Sequence, residues 1–263
     1  MPKKYLLVDK ETGEAVKEIP QYTEQEKRYA AEKQKREDYR RKSKDFIVCY
    51  PEELRKINQE LTLIEAGAAM RLLGFLRWKE NGRLINEGKS LTVKDLAKIF
   101  KKGQTATKEI LKRLESFDLI SRAREGKANA FFINPRFFQF GGKVEMANFT
   151  KLFVVKSRNL VKELSIQEAG LIWKIIPYFH FSTYYLCENP MEKDSARHMS
   201  RKMLAEHVGH DMNTVGKLMN GLSRKGAVII TLLYGKNRYL INPDLMYRKS
   251  TEDEHAKHVR NLF

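Results

Sequence analysis

The sequence predicts an α+β fold, mostly helical with small β wings, in which one module occurs twice. Residues 61–67 (LTLIEAG) are matched by residues 164–170 (LSIQEAG), and residues 131–135 (FFINP) by residues 239–243 (YLINP). The Glu-Ala-Gly triplets are 103 positions apart and the Ile-Asn-Pro triplets 108, so the second copy has a net insertion of five residues around positions 187–197. Self-similarity over this length indicates the architecture before any single motif is interpreted.

The length of 263 residues suits two domains of about 100 residues each with an extension at the N-terminus. The expected division is a β-hairpin and basic helical arm over residues 1–45, one module over 46–142, the second over 143–248 and a tail over 249–263. Hydrophobic residues make up 42% of the chain, enough for each half to bury a modest core. The tail is short and charged, and its composition allows a helix.

The charge balance is strongly basic. Lys and Arg number 50 against 33 Asp and Glu, a formal net charge of +17 and a pI near 9.7. Such a balance favours a polyanionic partner, nucleic acid first and an anionic membrane surface second. The membrane alternative is the weaker one, because no apolar run approaches the roughly 20 residues that a spanning helix needs and no signal peptide opens the chain. We therefore expect a cytoplasmic protein with no membrane partner.

Two cysteines, Cys49 and Cys187, lie at non-matching positions of the two copies, and neither has a CxxC partner. We expect both to be reduced and buried in an intracellular protein; a disulfide or metal role is the alternative.

The sequence predicts two elements in the N-terminal extension. Residues 5–19 alternate around a turn at Gly13, which predicts a β-hairpin. Residues 22–45 have no Gly or Pro and are rich in Glu, Lys, Arg, Gln and Ala, which predicts a solvated helix. Seven basic against two acidic residues over 33–44 leave two interpretations open: a plain linker helix, or an arm that lies on phosphates.

Each module opens with a short apolar strand, at residues 46–50 in the first copy and 152–155 in the second. An amphipathic helix is expected to follow from the Glu-Ala-Gly triplet and to bend or end near Gly74 and Pro177. Its apolar residues are expected to form core contacts, with a dimer face as the alternative: Ala69, Leu72, Leu73 and Leu76 in the first copy, and Ile172, Ile175, Ile176 and Phe179 in the second.

The most specific local pattern is a pair of helices joined by a short polar turn. It spans residues 91–100 and 105–114 in the first copy, and 199–208 and 213–222 in the second. Thr92 and Ser200 are natural N-caps, and Asp95 stands in capping-box position after Thr92. Small residues, Ala97 and Ala205, occur where the two helices must approach closely. This arrangement predicts a helix-turn-helix in each copy.

Two short strands follow each helix-turn-helix. They cover residues 120–124 and 130–133 around Gly126-Lys127, then 228–234 and 239–241 around Gly235-Lys236. A two-stranded wing after a helix-turn-helix makes a winged helix. The full prediction is therefore two tandem winged helix-turn-helix domains preceded by a hairpin and a helical arm.

In a winged helix, the second helix of the helix-turn-helix enters the major groove of DNA and the wing contacts the backbone or the minor groove. Each candidate could instead be an ordinary surface residue. The predicted base readers are Gln104, Thr105, Thr107 and Lys108 in the first copy, and His210, Asn213, Thr214 and Lys217 in the second. The predicted phosphate contacts are Lys101, Lys102 and Lys112, and Arg224 is a further predicted DNA contact farther along the helix of the second copy. The predicted wing contacts are Arg122, Arg124, Lys127, Asn129, Lys236, Asn237 and Arg238.

Two such modules would cover successive major grooves about 10 bp apart, a site of about 20 bp. Neutralising many phosphates would also make binding strongly salt-dependent.

The sequence offers no catalytic constellation. It has no GxxxxGK[ST] phosphate-binding loop and no HExxH motif, and Gly141-Gly-Lys143 lacks the spacing of a phosphate cradle. A metal cluster of Glu206, His207, His210 and Asp211 is a weak alternative, because these residues span the turn of a helix-turn-helix, where polar surface residues are ordinary. We expect the protein to have no enzymatic activity, no cofactor and no bound metal.

Residues 132–138 (FINPRFF) resemble the end of the wing in Firmicute plasmid replication proteins of the RepL type, and residues 7–14 (LVDKETGE) resemble their start. RepL-type proteins typically have one winged helix, whereas two are expected here, as in iteron-binding initiators. The resemblance implies a bacterial protein, associated with the nucleoid or a plasmid, that binds repeated origin sites and recruits host replication proteins. It also implies that the protein represses its own promoter as a homodimer.

The sequence thus predicts specific binding of double-stranded DNA by a plasmid or phage replication initiator. The first alternative is a transcriptional repressor of a plasmid or phage operon, which would use the same residues. The second is an assembly protein whose winged helices bind other proteins, which basic recognition helices disfavour.

Overall fold

The computed structural model describes residues 4–8, 10–13, 15–20, 27–29, 46–126, 128–142, 144, 148–192, 194–233, 235–249 and 253–263. The chain divides into two compact units, Met1–Ser43 and Lys44–Phe263. In the first unit, β1 (Lys4–Val8) pairs antiparallel with β2 (Ala15–Pro20), and Gly13 adopts a positive φ of 73° in the connection. The hairpin prediction is therefore confirmed. Residues 27–29 are helical, and the rest of the predicted arm lies outside the described residues.

Within the second unit, the elements of the first copy come in the following order: β3 (Phe46–Cys49), α1 (Pro51–Ile57), α2 (Leu63–Leu72), β4 (Ile85–Asn86), β5 (Lys89–Ser90), α3 (Val93–Phe100), α4 (Gln104–Ser116), β6 (Ile120–Glu125), β7 (Ala128–Ile133) and β8 (Phe138–Gln139). The second copy repeats most of this order: β9 (Thr150–Phe153), α5 (Val154–Glu163), α6 (Ile166–Ile175), α7 (Arg201–Val208), α8 (Met212–Arg224), β10 (Val228–Leu233), β11 (Lys236–Ile241) and β12 (Met246–Tyr247). A final helix, α9 (Glu254–Arg260), lies in the predicted tail. The structure is thus a mixed α and β fold with small antiparallel sheets, as the α+β class predicts.

The sequence prediction missed two helices, α1 and α5, each of which directly follows the first strand of its copy. Pro51 opens α1, and Glu52 and Glu53 lie in its first turn, a recognisable N-terminal signal. In the second copy the strand was predicted over residues 152–155. That boundary is wrong, because β9 ends at Phe153 and Val154 already begins α5.

A four-stranded sheet joins the two copies, in the order β12-β9-β3-β8. Its central pair is antiparallel and comes from different copies, with Ile47 opposite Leu152. Each outer strand then pairs with the central strand of its own copy. Ile47 and Cys49 face the main core, whereas Phe46 and Val48 belong to a second cluster on the opposite face, as the alternation of a strand requires. The sheet is therefore built symmetrically around the junction of the two copies.

The repeated Glu-Ala-Gly motif has two local roles. Its glutamate is the third residue of α2 and of α6, and it completes a capping box with Thr62 in the first copy and Ser165 in the second. Its glycine lies where α2 and α6 pack on each other. A Cβ atom on Gly67 would lie 1.9 Å from the carbonyl oxygen of Ile166, and one on Gly170 would lie 2.0 Å from that of Leu63. Only glycine allows the two backbones to approach this closely.

The α2–α6 pair lies inside the core. All residues from Glu168 to Ile175 are buried, so α6 is enclosed around its circumference and the prediction of a one-sided amphipathic helix is wrong. The apolar residues of both helices belong to one hydrophobic cluster drawn from both copies, which confirms the predicted core role. Both helices end where expected. A 3₁₀ turn follows each of them, Leu73–Phe75 after α2 and Ile176–Tyr178 after α6.

The Ile-Asn-Pro motif closes each copy through its asparagine. Asn134 Nδ2 donates to the carbonyl of Asp118 at 2.9 Å, and Asn242 Nδ2 donates to the carbonyl of Gly226, also at 2.9 Å. In both copies the asparagine Oδ1 accepts the backbone N–H two residues further on. The motif therefore ties the end of each hairpin to the turn that precedes it.

Both cysteines are free and fully buried. Burial raises the pKa of Cys49 well above its ordinary value and that of Cys187 to about 12. Reduced, buried thiols are what the sequence predicts.

Candidate nucleic-acid interface

The first helix-turn-helix begins with the predicted capping box. The Thr92 hydroxyl accepts the N–H of Asp95 at 3.2 Å, and the Asp95 carboxylate accepts the N–H of Thr92 at 3.0 Å. Helix α3 ends at Phe100, and its C-cap Lys101 takes up the left-handed conformation with φ of 55°. After the exposed turn, α4 begins at Gln104, one residue before the predicted start.

The second helix-turn-helix repeats this geometry. The Ser200 hydroxyl accepts the N–H of Met203 at 3.3 Å, as its predicted N-cap role requires. Helix α7 ends at Val208, and its C-cap Gly209 is left-handed with φ of 71° and occupies the position equivalent to Lys101. The connection then leads into α8, which starts at Met212. Both copies therefore turn the chain in the same way between the two helices.

The N-terminal ends of α4 and α8 differ electrostatically. Gly103 is the N-cap of α4 and offers no side chain, so no carboxylate is part of this cap. Asp211 is the N-cap of α8, and its carboxylate accepts the N–H of Thr214 at 2.8 Å. Hydrogen bonds from Thr214 hold the pKa of Asp211 below its ordinary value, so this cap stays anionic. The partial positive charge of α4 is thus open to an external anion, whereas that of α8 already faces a carboxylate.

Most predicted contact residues of the first helix-turn-helix are exposed. This group contains Lys101, Lys102, Gln104, Thr105, Lys108 and Lys112. The exception is Thr107, which is 0% exposed and whose hydroxyl donates to the carbonyl of Gly103 at 2.9 Å. The prediction that Thr107 reads bases is therefore wrong, because its side chain faces the core and bonds to its own helix.

In the second helix-turn-helix, Asn213, Lys217 and Arg224 are exposed, whereas Thr214 and His210 are half-buried. The Nε2 atom of His210 is enclosed, and it has no hydrogen-bond partner within the described part of the chain. Desolvation, followed by the nearby charge of Lys174, lowers the pKa of His210. The enclosed Nε2 of His210 therefore does not face a base, and the role of His210 as a base reader stays a prediction.

The two hairpins predicted as wings differ in charge. In the β6–β7 hairpin, Arg122, Arg124 and Asn129 are exposed, and Arg122 pairs with Glu115 at 2.6 Å. Arg124 lies opposite Asn129 in the hairpin register, and its Nε donates to the carbonyl of Gly126 at 3.4 Å. Lys127 lies outside the described residues. The first hairpin thus presents polar and cationic side chains to solvent.

The β10–β11 hairpin is more apolar. Lys236 is exposed, but Asn237 and Arg238 are half-buried, and the Arg238 Nε is enclosed. Leu232, near the tip, is 69% exposed. Of the three predicted contacts on this hairpin, Lys236 is the most accessible.

Two buried cations that the sequence analysis did not single out connect each helix-turn-helix to the opposite copy. Arg71 donates through Nη1 to the carbonyl of Ile99, near the end of α3, and through Nη2 to that of Leu164 in the second copy, both at 2.9 Å. Lys174 Nζ donates to the carbonyl of Val208, the last residue of α7, at 2.8 Å, and to that of Asn58 in the first copy. A cation at a helix C-terminus is stabilised by the helix dipole.

Arg71 and Lys174 are 103 positions apart and therefore occupy the same place in the repeat. In the sequence, the signal for these two residues was a basic residue within an otherwise apolar helix. Their titration differs, because burial lowers the pKa of Lys174 to about 8, with the charge of Glu65 opposing that shift. Arg71 and Lys174 thus attach both helix-turn-helix elements to the same core. Arg71 does so through a permanent charge and Lys174 through a titratable one.

No protein-family model and no curated protein sequence matches the chain. Among the described residues, no helix is both long enough and apolar enough to span a bilayer.

Proposed function

We propose that the chain binds double-stranded DNA sequence-specifically through two winged helix-turn-helix halves, as a plasmid or phage replication initiator. The observation that supports this proposal most strongly is the repeated pair of helices with exposed polar and basic residues at the start of the second helix. Helix α4 exposes Lys108 and Lys112. Helix α8 contains Lys217 and Arg224, with no acidic residue between Met212 and Arg224. Exposed cations along a helix suit phosphate and base contacts in a major groove.

The rigid connection of the two halves supports one composite site. The α2–α6 crossing, the central strand pair and the two buried cations set the position of each recognition helix relative to the other. Halves that are held in this way would read two half-sites at a fixed spacing, in contrast to halves on a flexible linker. The two copies differ in their reading residues, so the composite site would have no internal symmetry.

The test is footprinting on the DNA that flanks the protein's own gene. We expect a protected site of about 20 bp. Thr105→Ala with Lys108→Ala should remove protection from one half of the site, and Asn213→Ala with Lys217→Ala from the other half. Protection that is independent of sequence and fully competed by bulk DNA would refute specific recognition.

Salt dependence gives a second measurement. If six to eight exposed cations contact phosphates, the logarithm of the association constant should fall with the logarithm of salt with a slope of roughly −5 to −7. A slope near zero would contradict binding to the duplex backbone.

DNA context distinguishes an initiator from a repressor. Several directly repeated sites beside an A·T-rich stretch would support initiation, whereas a single palindrome would support the repressor alternative.

A further inference from the structure

A cleft of about 500 Å³ opens between the first copy and α5 of the second copy, within the second compact unit. Its walls come from the end of α2 and its 3₁₀ turn, from α3, from the β4–β5 hairpin and from α5. Met70, Leu73, Phe75, Ile99 and Val161 give it an apolar floor. A volume of this size lies in the range of sites that enclose a small organic molecule.

The rim of this cleft is cationic. Lys98, Lys101, Arg158 and Lys162 line it, against Glu87 as the acidic lining residue. Within the described residues, none of these four cations forms a salt bridge or a hydrogen bond with a carboxylate. Burial of part of the side chain lowers the pKa of Arg158, although the residue as a whole remains exposed. Lys98 lies near enough to Asp95 for its charge to lower the pKa of that carboxyl, but it forms no direct ion pair with it among the described residues. An apolar floor beneath four cations that have no direct carboxylate partner is complementary to an anion with an apolar body.

In the second copy, larger side chains occupy the positions equivalent to two residues that line the cleft. Trp173 and Tyr178 stand where the first copy has Met70 and Phe75, and both are buried. The Tyr178 hydroxyl donates to the carbonyl of His207 at 3.2 Å and thereby bridges to α7. Phe75, which has no hydroxyl, is only half-buried.

Arg55, on α1, is the second group that closes this position beside the second copy. Arg55 occupies the position equivalent to Arg158, because the two are 103 positions apart. Its Nη2 donates to the carbonyl of Pro177 at 3.1 Å, and its guanidinium lies 5.1 Å from the centre of the Tyr178 ring. Gly74 stands in the place of Pro177 and leaves the space open. The fold can therefore close this position, whereas beside Gly74 the position stays open next to Arg158, which comes from the second copy.

We propose that the cleft binds a small organic anion with an apolar body, such as an alkyl phosphate. The apolar body would lie on Met70, Phe75 and Val161, and the anionic head would meet the rim cations. Guanidinium and ammonium groups both donate charge-assisted hydrogen bonds to phosphate oxygens.

Occupation of the cleft would act on the first helix-turn-helix. Lys98 and Lys101 belong to α3 and its turn, and Arg71, in the wall, holds the carbonyl of Ile99. An anion at Lys101 would compete with a DNA phosphate for the same charge, so the ligand would lower DNA affinity. This consequence rests on the proposed function; the binding of the anion does not.

The experiment is isothermal titration calorimetry of the full chain with octyl phosphate. We expect one saturable site, with inorganic phosphate and octyltrimethylammonium binding at least tenfold more weakly. Gly74→Leu should abolish binding by filling the cleft, because a Cβ at Gly74 meets only the Arg158 side chain, with Cγ at 3.5 Å and Nε at 3.9 Å, and can be accommodated. Arg158→Gln with Lys162→Gln should weaken binding at least tenfold, whereas Lys257→Gln, on exposed α9, should leave it unchanged.

Absence of a saturable site in the wild-type chain, or unchanged binding by folded Gly74→Leu, would overturn the proposal. If Gly74→Leu does not fold, the Arg158 and Lys162 double variant decides, and unchanged binding there counts against it. Fluorescence anisotropy with a DNA duplex tests the consequence separately. A chain that binds octyl phosphate but not DNA would refute the proposed function and leave the cleft assignment standing.

Discussion

Replacing Gly67 by alanine tests whether the crossing of α2 and α6 holds the two copies together. The added methyl would lie 1.9 Å from the carbonyl oxygen of Ile166. Carbon–oxygen contacts between packed backbones are about 3.3 Å or longer, so the helices must move apart locally by about 1.4 Å. The obstacle is the backbone of a buried helix, so rotation of a side chain cannot relieve it.

Two opposing effects determine how much Gly67→Ala changes the free energy of unfolding. Overpacking in a core costs about 1–3 kcal/mol, and a backbone obstacle places Gly67→Ala at about 3 kcal/mol. Alanine regains about 1 kcal/mol of helix propensity over glycine. The net loss is about 2 kcal/mol, which for a chain of this size lowers the melting temperature by about 4–8 °C.

Thermal unfolding followed by circular dichroism measures this change, and Gly216→Ala is the matched control. Gly216 lies inside α8, and a Cβ there would meet the Arg201 side chain at 3.3 Å, which can move aside. The control should therefore gain about 0.5–1 kcal/mol from helix propensity. The two identical substitutions should shift the melting temperature in opposite directions. A Gly67→Ala variant that melts at or above the wild-type temperature would refute the close crossing.

Three further outcomes are expected. Lys174→Met should remove a rise in wild-type stability between pH 8 and 10.5, measured by urea unfolding; the pKa of Lys174 is lowered to about 8, so the unfolded chain binds more protons there. An unchanged pH profile would contradict the buried ammonium. Gly103→Asp should weaken DNA binding about fivefold, because a carboxylate about 4 Å from a phosphate costs about 1 kcal/mol even in water, while the fold gains a few tenths of a kcal/mol. Equal affinity by anisotropy would show that no phosphate approaches α4. Stability should also fall as pH drops below about 6.5, because desolvation lowers the pKa of His180, His198 and His210 and the unfolded chain takes up protons first. A stability flat from pH 7 to pH 5 would contradict this.

Local signals in the sequence were enough to predict most of the helices and hairpins. The cap at Thr92 and the one at Ser200 involve residues three apart, so they do not depend on the rest of the fold. The hairpin at Gly13 is likewise a short-range structure. Helix α1 was missed although Pro51 and its acidic first turn are a readable signal.

Burial was harder to predict, because it depends on partners far away in the chain. Thr107 has the composition of an exposed helix start, yet its side chain is buried. The enclosed Nε2 of His210 could not be inferred from the residues beside it. In both cases the orientation of a helix on its scaffold decides which side chains reach solvent.

The sequence by itself determined that one module occurs twice and where its helix-turn-helix and hairpins lie, because these features arise from capping, turn chemistry and spacing between near neighbours. Only the tertiary structure decided that Gly67 and Gly170 form a backbone crossing and that Arg71 and Lys174 brace opposite copies. It also decided that one copy leaves open a space which the other fills with Trp173 and Tyr178. These features depend on contacts between residues that are about 100 positions apart in the sequence. The close packing of the core determines which of those residues come into contact.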